Sequence, residues 1–344
     1  MPKKASIIEK ISEANLVGRG GASFPVASKW LMVKKALRGK KTGYIVLNGA
    51  EGEPGVDKDG YILNHYPEEL VHGLFLADEF LGKEKIKNIY FFINKEYYQK
   101  YSAGIKKVLS LKKYSSLIKK FVFVVKPLDL TYISGEETAL LNLIEGKKIE
   151  PRLKPPYPNS SGLFGKPTLI NNTETFYNIS LVARNKYRHE RFYTLTGAVR
   201  RRGVYLLPES LTIREILEKT GNMPSFKFFV QVGGGASGEV LHYSQLDRPV
   251  GGLGSIMVYD FLKTDHDKLL RYWLGFFKEQ SCGQCTICRE GTYRIFEMLS
   301  EKKFDEELFS DILNALDENS FCYLGRSVSI PIRSYFANIL RKKI

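Results

Sequence analysis

The distribution of cysteine is the feature that most constrains this chain, which has 344 residues and only four cysteines. Cys282, Cys285 and Cys288 follow one another with two residues between each, and Cys322 comes much later in the chain. Iron-sulfur clusters are ligated by four thiolates, and a close triplet with a distant fourth cysteine is a common way of supplying them. A zinc site more often uses two separated pairs. The spacing therefore predicts a [4Fe-4S] cluster, with a zinc site or unrelated buried thiols as alternatives.

Composition and charge exclude several classes of protein. No apolar run approaches the roughly 20 residues of a membrane helix, and the stretch Phe121–Val125 ends at a lysine and a proline. The N-terminus lacks the apolar core of a secretory signal, so a cytoplasmic location is expected. The formal charge is +15, from 52 basic and 37 acidic residues. Because the basic excess is diffuse, it indicates solvated faces or a docking surface for an acidic protein rather than nucleic-acid binding.

The pattern of apolar residues changes twice along the chain. Residues 1–187 alternate short apolar strands with helical patterns such as 67–81, which predicts an α/β domain with a parallel sheet covered on both sides. Residues 188–262 are rich in short β runs broken by glycine, with one helix opened by Thr212 and Glu215 as a capping box. Residues 263–344 are mainly helical. The sequence therefore predicts three domains.

Four segments of the first domain contain the glycine, proline and acidic residues typical of ligand-binding turns: 18–25, 48–55, 132–138 and 151–175. Glycine lets backbone amides approach a phosphate or a flat ring. The second segment follows a predicted strand, where open α/β sheets bind ligands, and the third runs into a helix N-terminus suited to a phosphate. The fourth is predicted to be a long functional connection. Each segment alone is equally compatible with a structural or acidic surface turn.

Taken together, the motifs closely resemble those of the NADH-binding flavoprotein subunit of respiratory complex I and its relatives in NAD-linked hydrogenases and formate dehydrogenases. The resemblance rests on six motifs in family order: Gly18-Arg-Gly-Gly-Ala-Ser-Phe-Pro, Glu51-Gly-Glu-Pro-Gly, Tyr132-Ile-Ser-Gly-Glu-Glu-Thr, Pro151-Arg-Leu-Lys-Pro-Pro-Tyr-Pro, Gly165-Lys-Pro-Thr-Leu-Ile-Asn-Asn-Thr-Glu-Thr and Ser281-Cys-Gly-Gln-Cys-Thr-Ile-Cys-Arg-Glu-Gly. It implies an FMN-binding α/β domain at 1–187, a small ubiquitin-like β-grasp domain of the soluble-ligand-binding type at 188–262, and a helical bundle with the cluster at 263–344.

The resemblance also implies roles for individual residues. The residues expected to bind FMN are Gly18, Arg19, Gly20, Gly21, Lys29, Asn48, Gly135, Glu136, Asn171 and Asn172, and Glu51 is a further expected cofactor-binding residue. Phe24, Tyr157 and Lys154 are expected to contact NADH. Glu53 and Glu137 match the acidic neighbours of the nicotinamide and its ribose, and are the expected catalytic residues. The four cysteines are the expected cluster ligands.

The activity implied is that of an NADH dehydrogenase subunit: hydride transfer between NAD(H) and FMN, then single-electron transfer to the [4Fe-4S] cluster. The expected partners are other iron-sulfur subunits of a redox complex: a small [2Fe-2S] thioredoxin-like subunit, a hydrogenase, a formate dehydrogenase or complex I-like modules. Met32 and Ala50 depart from the family pattern near the adenine and the flavin. These departures leave open a non-catalytic scaffold with a decayed nucleotide site. A nucleic-acid binder built on a zinc knuckle is a third interpretation.

Overall fold

The computed structural model describes residues 5–39, 42–127, 132–300, 304–342 and 344. The chain divides into two compact units, the first made of residues 1–51, 57–130 and 134–189, and the second of 52–56, 131–133 and 190–344. The expectation of a cytoplasmic location was based on the N-terminal segment. Residues 1–4 of that segment lie outside the described residues. Within the described ranges, no helix has the length and apolar character needed to cross a bilayer.

The first unit is built on a parallel sheet of four strands in the order β3-β2-β1-β4. Its strands are β1 (Gly43–Gly49), β2 (Ile86–Asn94), β3 (Phe121–Lys126) and β4 (Thr168–Asn172). Its helices are α1 (Ile7–Glu13), α2 (Val26–Ala36), α3 (Lys58–His65), α4 (Pro67–Leu81), α5 (Lys95–Leu109), α6 (Ser115–Ile118), α7 (Glu137–Ile144), α8 (Pro158–Ser161) and α9 (Thr173–Ala183).

Successive residues of a β-strand point to opposite faces of the sheet, and in this sheet both faces contain apolar side chains. On one face, Ile45 and Leu47 of β1 join a large core with residues of helices α1, α2, α4, α5 and α9. On the other face, Tyr44 and Val46 join a smaller core with Leu140 of α7. Both faces are therefore buried, which explains why the strands are nearly continuous apolar runs.

The second unit contains a mixed sheet of five strands in the order β6-β5-β9-β7-β8. Its strands are β5 (Glu190–Gly197), β6 (Gly203–Pro208), β7 (Phe228–Val232), β8 (Glu239–His242) and β9 (Ser255–Asp260). Only β5 and β9 pair in parallel, whereas the other neighbours in this sheet are antiparallel. Helix α10 (Ile213–Lys219) begins at Thr212, whose side chain forms the predicted capping box with Glu215. The helix packs its apolar side chains against the sheet.

The remaining helices of the second unit follow the sheet in the chain. They are α11 (His266–Gln280), α12 (Thr286–Met298), α13 (Glu306–Asn319), α14 (Tyr323–Arg326) and α15 (Ser329–Tyr335), the last continued by a π-helical turn, Phe336–Leu340. Helix α11 is joined to the sheet through fully buried Trp273, whose Nε1 donates to the Gln231 Oε1 and the Gly235 carbonyl, each at 3.2 Å. This contact satisfies the one polar atom of a large buried aromatic side chain.

The predicted fold class, with its parallel α/β region, mixed sheet and C-terminal helices, is confirmed. The helix predicted at 67–81 is α4, with the same bounds. The description of 151–175 as a long connection was wrong, because this segment contains α8 and strand β4, which pairs with β1. Strand β8 was also missed. The division of residues 188–344 into a β-grasp domain and a helical bundle stays a prediction.

Two helical glycines provide a test of the packing in the first unit. A Cβ on Gly73 of α4 would lie 2.0 Å from the Phe176 carbonyl oxygen of α9, whereas a Cβ on Gly104 of α5 would meet no atom within 4 Å. We expect Gly73→Ala to lower the free energy of unfolding by about 3 kcal/mol through overpacking. Gly104→Ala should raise it by about 0.5–1 kcal/mol, because alanine restricts the unfolded chain and favours helix. Urea unfolding followed by circular dichroism measures both, and equal stabilities would contradict this packing.

Candidate functional site

In the first unit, the expected ligand-binding segments meet at the carboxyl edge of the parallel sheet. Strand β1 ends near Asn48, and the adjacent strand β4 ends at Asn171 and Asn172. In the sheet, β2 and β3 lie on one side of β1, and β4 lies on the other side. The strand order therefore reverses between β1 and β4. Open α/β sheets bind ligands in the crevice at such a point. The topology therefore favours a ligand at Asn48 and the asparagine pair.

The glycine-rich turn 18–25 is closed on itself and fixed to the start of α9. Gly18 N donates to the Phe24 carbonyl at 2.9 Å, and Arg19 N donates to the Thr175 Oγ1 at 2.9 Å. A Cβ on Gly20 would lie 3.5 Å from the Cβ of Asn172, so the turn lies against the end of β4. Gly21 has a φ of +103°, a conformation that favours glycine. Gly20 and Gly21 are exposed, so this part of the turn places a backbone without side chains beside the strand ends.

Lys29 and Asn171 are held beside β4. The Lys29 Nζ donates to the Ile170 carbonyl at 3.2 Å. Burial lowers the pKa of Lys29, while the nearby Glu137 opposes this shift. The Asn171 side chain, with its amide oriented to satisfy both neighbours, accepts from the Trp30 Nε1 at 3.1 Å and donates to the Ile170 carbonyl. Both residues therefore rest on the backbone of the strand that ends at the crevice.

Asn48 and Asn172 link three chain segments. The Asn48 Nδ2 donates to the Gly135 carbonyl at 2.9 Å, which connects β1 to the turn before α7. The Asn172 side chain caps α9 by accepting from Glu174 N at 3.0 Å. Its Nδ2 donates to the Asp59 Oδ2 at 2.8 Å and to the Asn48 carbonyl at 3.4 Å. A ligand that bonds to this amide would have to replace or share one of these contacts.

Glu136, Glu137 and Lys154 form an ion-paired group at the N-terminus of α7. The Lys154 Nζ donates to the Glu136 Oε1 at 2.9 Å and to the Glu137 Oε1 at 3.0 Å. The other Glu136 oxygen caps the helix by accepting from Thr138 N and Ala139 N. Although partial burial opposes the charge, the two carboxylates raise the pKa of Lys154 above its usual value. Glu137 and Lys154, which were expected near NADH, are thus brought together with Glu136, which was expected to bind FMN and which also caps the helix.

The expected nucleotide-contacting aromatics lie on the surface of the first unit. Phe24 is 41% exposed and Tyr157 is 55% exposed. The Lys29 Nζ lies 5.9 Å from the centre of the Phe24 ring. Met32, where the family pattern has an aromatic residue, is also exposed and contacts Asn159 through its sulfur. These rings are available for stacking on a planar ligand, but their roles stay predictions.

A buried charged cluster next to Asn172 was not predicted from the sequence. Lys58 lies 3.1 Å from Asp59 and 3.0 Å from Glu174, and all three side chains are almost completely buried. Glu51 accepts from Asp59 N at 3.2 Å and from the Tyr97 hydroxyl at 2.9 Å. Burial, with the Asp59 charge second, raises the pKa of Glu51 to about 8. The only signal in the sequence was a pair of adjacent charges, Lys58 and Asp59, directly after a glycine-rich turn.

Glu53, one of the two expected catalytic residues, belongs to the second unit. Its Oε1 accepts from Ala236 N and Ser237 N, each at 3.0 Å, and from the Ser237 Oγ at 3.1 Å. A Cβ on Gly234 would lie 2.3 Å from this oxygen, so the close approach of the loop requires glycine. Burial and the adjacent Glu53 carboxylate raise the pKa of Tyr132 well above its usual value. The structure thus gives Glu53 buried partners, and its role toward NADH stays a prediction.

The four cysteines surround the first turn of α12 in the second unit. Cys282 and Cys285 lie between α11 and α12, Cys288 is buried in the first turn of α12, and Cys322 directly precedes α14. Burial raises the pKa of the Cys288 thiol to about 12, and the other three cysteines are close enough to add to this shift. Metal binding displaces the thiol proton, so a cluster bound here would hold this group as a thiolate.

Short hydrogen-bonded loops hold the cysteines in place. The Arg289 Nη1 donates to the Gly283 carbonyl at 2.9 Å, and the Nε pairs with Glu290, which fixes the turn between the first two cysteines. Arg289 therefore supports the loop backbone. The Ser281 Oγ lies 3.4 Å from the Cys288 sulfur. A Cβ on Gly325 would lie 3.3 Å from the same sulfur and 2.3 Å from the Ser320 Oγ, so the loop after Cys322 depends on a glycine.

This donor set fits a [4Fe-4S] cluster. Four thiols from two loops lie around one helix N-terminus, and cysteine thiolates are the usual ligands of cubane clusters. Across the described ranges of the chain, no group of three or more His, Cys, Asp or Glu side chains is arranged to hold a single metal ion. In a cubane, each cysteine binds a different iron, so the ligands are spread more widely than around one ion.

Two family models match the chain in the regions that contain these sites. Residues 11–181 match the Nuo51 FMN-binding domain, and residues 268–340 match the NADH-ubiquinone oxidoreductase-F iron-sulfur binding region. The predictions of FMN and of an iron-sulfur cluster are thereby confirmed. The assignment of individual residues to these cofactors stays a prediction, because neither match tests single positions.

Similar proteins of known name agree with the family models. The chain is 32% identical over 367 residues to the second F subunit of the NADH-quinone oxidoreductase of Rhizobium meliloti, a match that covers 95% of this chain and 85% of the relative. It is also 32% identical to the NADH-quinone oxidoreductase F subunit of Aquifex aeolicus, with 95% of this chain and 82% of the relative covered.

A solved structure of an NAD+-reducing [NiFe]-hydrogenase in the H2-reduced state matches with a TM-score of 0.88 and 28% identity. This match covers 97% of the present chain and 61% of the hydrogenase chain. The predicted resemblance to complex I and NAD-linked hydrogenase flavoproteins is confirmed. The chain belongs to the family of NADH-quinone oxidoreductase F subunits, with an FMN-binding domain and an iron-sulfur binding region.

Proposed function

We propose that this chain is the NADH-oxidising subunit of a larger redox complex. It binds FMN and NADH in its first unit, holds one [4Fe-4S] cluster on its four cysteines, and passes electrons to other iron-sulfur subunits. The observation that supports this most strongly is the presence, in one chain, of a glycine-rich crevice at a parallel sheet edge and a four-cysteine centre. Bound FMN supplies the exchange between two-electron hydride transfer and one-electron transfer, which amino-acid side chains do not provide.

The FMN-binding role follows from the chemistry of the crevice. The exposed glycines Gly20 and Gly21 let backbone amides reach a phosphate or the edge of a flat ring. Lys29 places an ammonium group beside β4, where it can pair with an anionic ligand. Because burial without a full counter-charge lowers the pKa of Lys29, a bound anion would favour its charged form. Asn48 and Gly135 connect the two sides of the crevice, so the site is pre-organised before the ligand binds.

The nucleotide-binding role rests on the exposed aromatics and the acidic pair. Phe24 and Tyr157 offer open ring faces, and planar rings stack favourably on aromatic side chains. Lys154 donates to both Glu136 and Glu137. One oxygen of the Glu137 carboxylate is therefore held in a defined orientation. Carboxylates held in this way accept hydrogen bonds from ribose hydroxyls and from a carboxamide. Hydride transfer itself requires positioning and exclusion of water more than an acid or a base.

The partners proposed for this chain are iron-sulfur subunits, because a one-electron centre needs a one-electron acceptor. A small [2Fe-2S] thioredoxin-like subunit, a hydrogenase, a formate dehydrogenase or a complex I-like module are the candidates. The hydrogenase match and the NADH-quinone oxidoreductase relatives support this class of assembly. The alternative of a non-catalytic scaffold rested on Met32 and Ala50. It is less favoured, since both cofactor regions match their family models.

Replacement of Cys285 by serine tests the cluster assignment. A serine oxygen is a harder ligand than the thiolate it replaces, so the cluster should not assemble stably. We expect Cys285→Ser to lose the optical and paramagnetic signals of the cluster. It should retain FMN and reduce ferricyanide with NADH at about the wild-type rate, since the dye takes electrons from the flavin. Thr286→Ala, at the exposed neighbouring position, is the matched control and should keep the cluster. Retention of the cluster signals in Cys285→Ser would refute the ligand assignment.

A large side chain at Gly20 tests the FMN site. The glycine is exposed and its nearest neighbour is Asn172, so an indole can be added without disturbing the core. We expect Gly20→Trp to fold normally but to lose at least about tenfold in FMN affinity, because the ring occupies the space beside the strand ends. Gly20→Ala adds only a methyl group in ordinary contact and should bind FMN nearly as well as the native chain. A flavin-loaded, yellow Gly20→Trp protein would place FMN elsewhere.

A further inference from the structure

The buried charged cluster of Lys58, Asp59 and Glu174 lies next to Asn172 at the end of β4. Lys58 is 1% exposed, Asp59 is 3% exposed and Glu174 is fully buried. The ammonium group of Lys58 forms an ion pair with each of these two carboxylates. Burial of charge is costly unless each group is paired, and the removal of one partner leaves an uncompensated charge in the interior. Lys58 is therefore needed to keep the buried carboxylates of Asp59 and Glu174 paired.

The cluster contains one basic and three acidic groups. Three carboxylates, from Glu51, Asp59 and Glu174, act on the ammonium group of Lys58. Burial opposes the charged form of Lys58, but the carboxylates outweigh it and raise its pKa above the usual value. The same burial raises the pKa of Asp59. The ammonium is thus a fixed positive charge among three acidic groups.

Asn172 connects this cluster to the proposed flavin site. Its Oδ1 lies 3.2 Å from the Lys58 Nζ, and its Nδ2 donates to the Asp59 Oδ2 at 2.8 Å. The same amide contacts the Asn48 carbonyl, and Gly20 of the glycine turn lies against its Cβ. One side chain therefore joins the buried charges to both segments that form the crevice.

We propose that Lys58 is a positioning residue of the flavin site, which fixes Asn172 and, by its charge, stabilises the reduced flavin relative to the oxidised one. The inference rests on the proposed function, since it requires FMN in the crevice. Uptake of a hydride ion transfers two electrons and one proton from NADH, and it adds one negative charge to the flavin ring. A buried ammonium nearby favours this extra charge, whereas the surrounding carboxylates oppose it, and low-dielectric surroundings strengthen both effects.

Charge variants of opposite sign separate this electrostatic role from a purely structural one. Lys58→Met removes the positive charge, and Glu174→Gln removes a negative charge with little change of shape. We expect Lys58→Met to weaken the preference for reduced flavin by about tenfold, which lowers the midpoint potential by roughly 30 mV for a two-electron couple. Glu174→Gln should raise the potential by a similar amount, and the double variant should lie near the wild type. A structural role alone would not give shifts of opposite sign.

The measurement is an anaerobic spectroelectrochemical titration of the full chain reconstituted with FMN, with FMN affinity measured in parallel by fluorescence quenching. Lys100→Met is the matched control, because Lys100 pairs with Glu96 on the surface, where the charge is screened by salt. If Lys58→Met does not fold, Glu174→Gln tests whether charge in this cluster acts on the flavin, and an unchanged potential in this variant would overturn the proposal. Unchanged potentials in flavin-loaded variants would overturn the role of Lys58 alone. A wild-type chain that binds no FMN would instead overturn the proposed function.

Discussion

The parallel pairing of β1 with β4 is the constraint on which the proposed flavin site depends. It brings Asn48 next to Asn172 in register, although 124 positions separate them in the chain. Each of these strands places its asparagine side chains at its carboxyl end, because both faces of the sheet are occupied by apolar cores. The crevice is therefore a consequence of topology: polar groups are tolerated where the strand order reverses, and the same place leaves room for a ligand.

The crevice and the cysteine centre differ in how their polar groups are stabilised. The crevice is flanked by buried charges that are paired with one another, as with Lys58, or with helix termini, as with Glu136. Such paired groups produce a fixed field without large reorganisation when a ligand changes its charge. At the cysteine centre, burial instead favours a neutral group. Burial raises the pKa of the Cys288 thiol, so ligation of iron by its thiolate would release a proton from this group.

The sequence was most informative where function requires unusual residues, and least informative where tertiary packing decides. The four cysteines could be recognised because cysteine has few other uses in such a chain, whereas the glycine turn was recognised only together with the other five motifs. Strand β4 was missed because only three of its residues, Leu169, Ile170 and the preceding Thr168, favour a strand, and prolines precede them. The Lys58 cluster could not be predicted, since Glu174 is distant in the chain and reaches it only through the β1–β4 pairing.

The most direct test of the account is the spectrum of the anaerobically purified chain, loaded with FMN and iron-sulfide, before and after the addition of NADH. We expect NADH to bleach the flavin absorbance, and the paramagnetic signal of a reduced [4Fe-4S] cluster then to appear in the same sample. Both changes are required, since the first reports hydride transfer and the second reports electron transfer onward. A chain that holds both cofactors but keeps an unchanged spectrum with excess NADH would contradict the central claim.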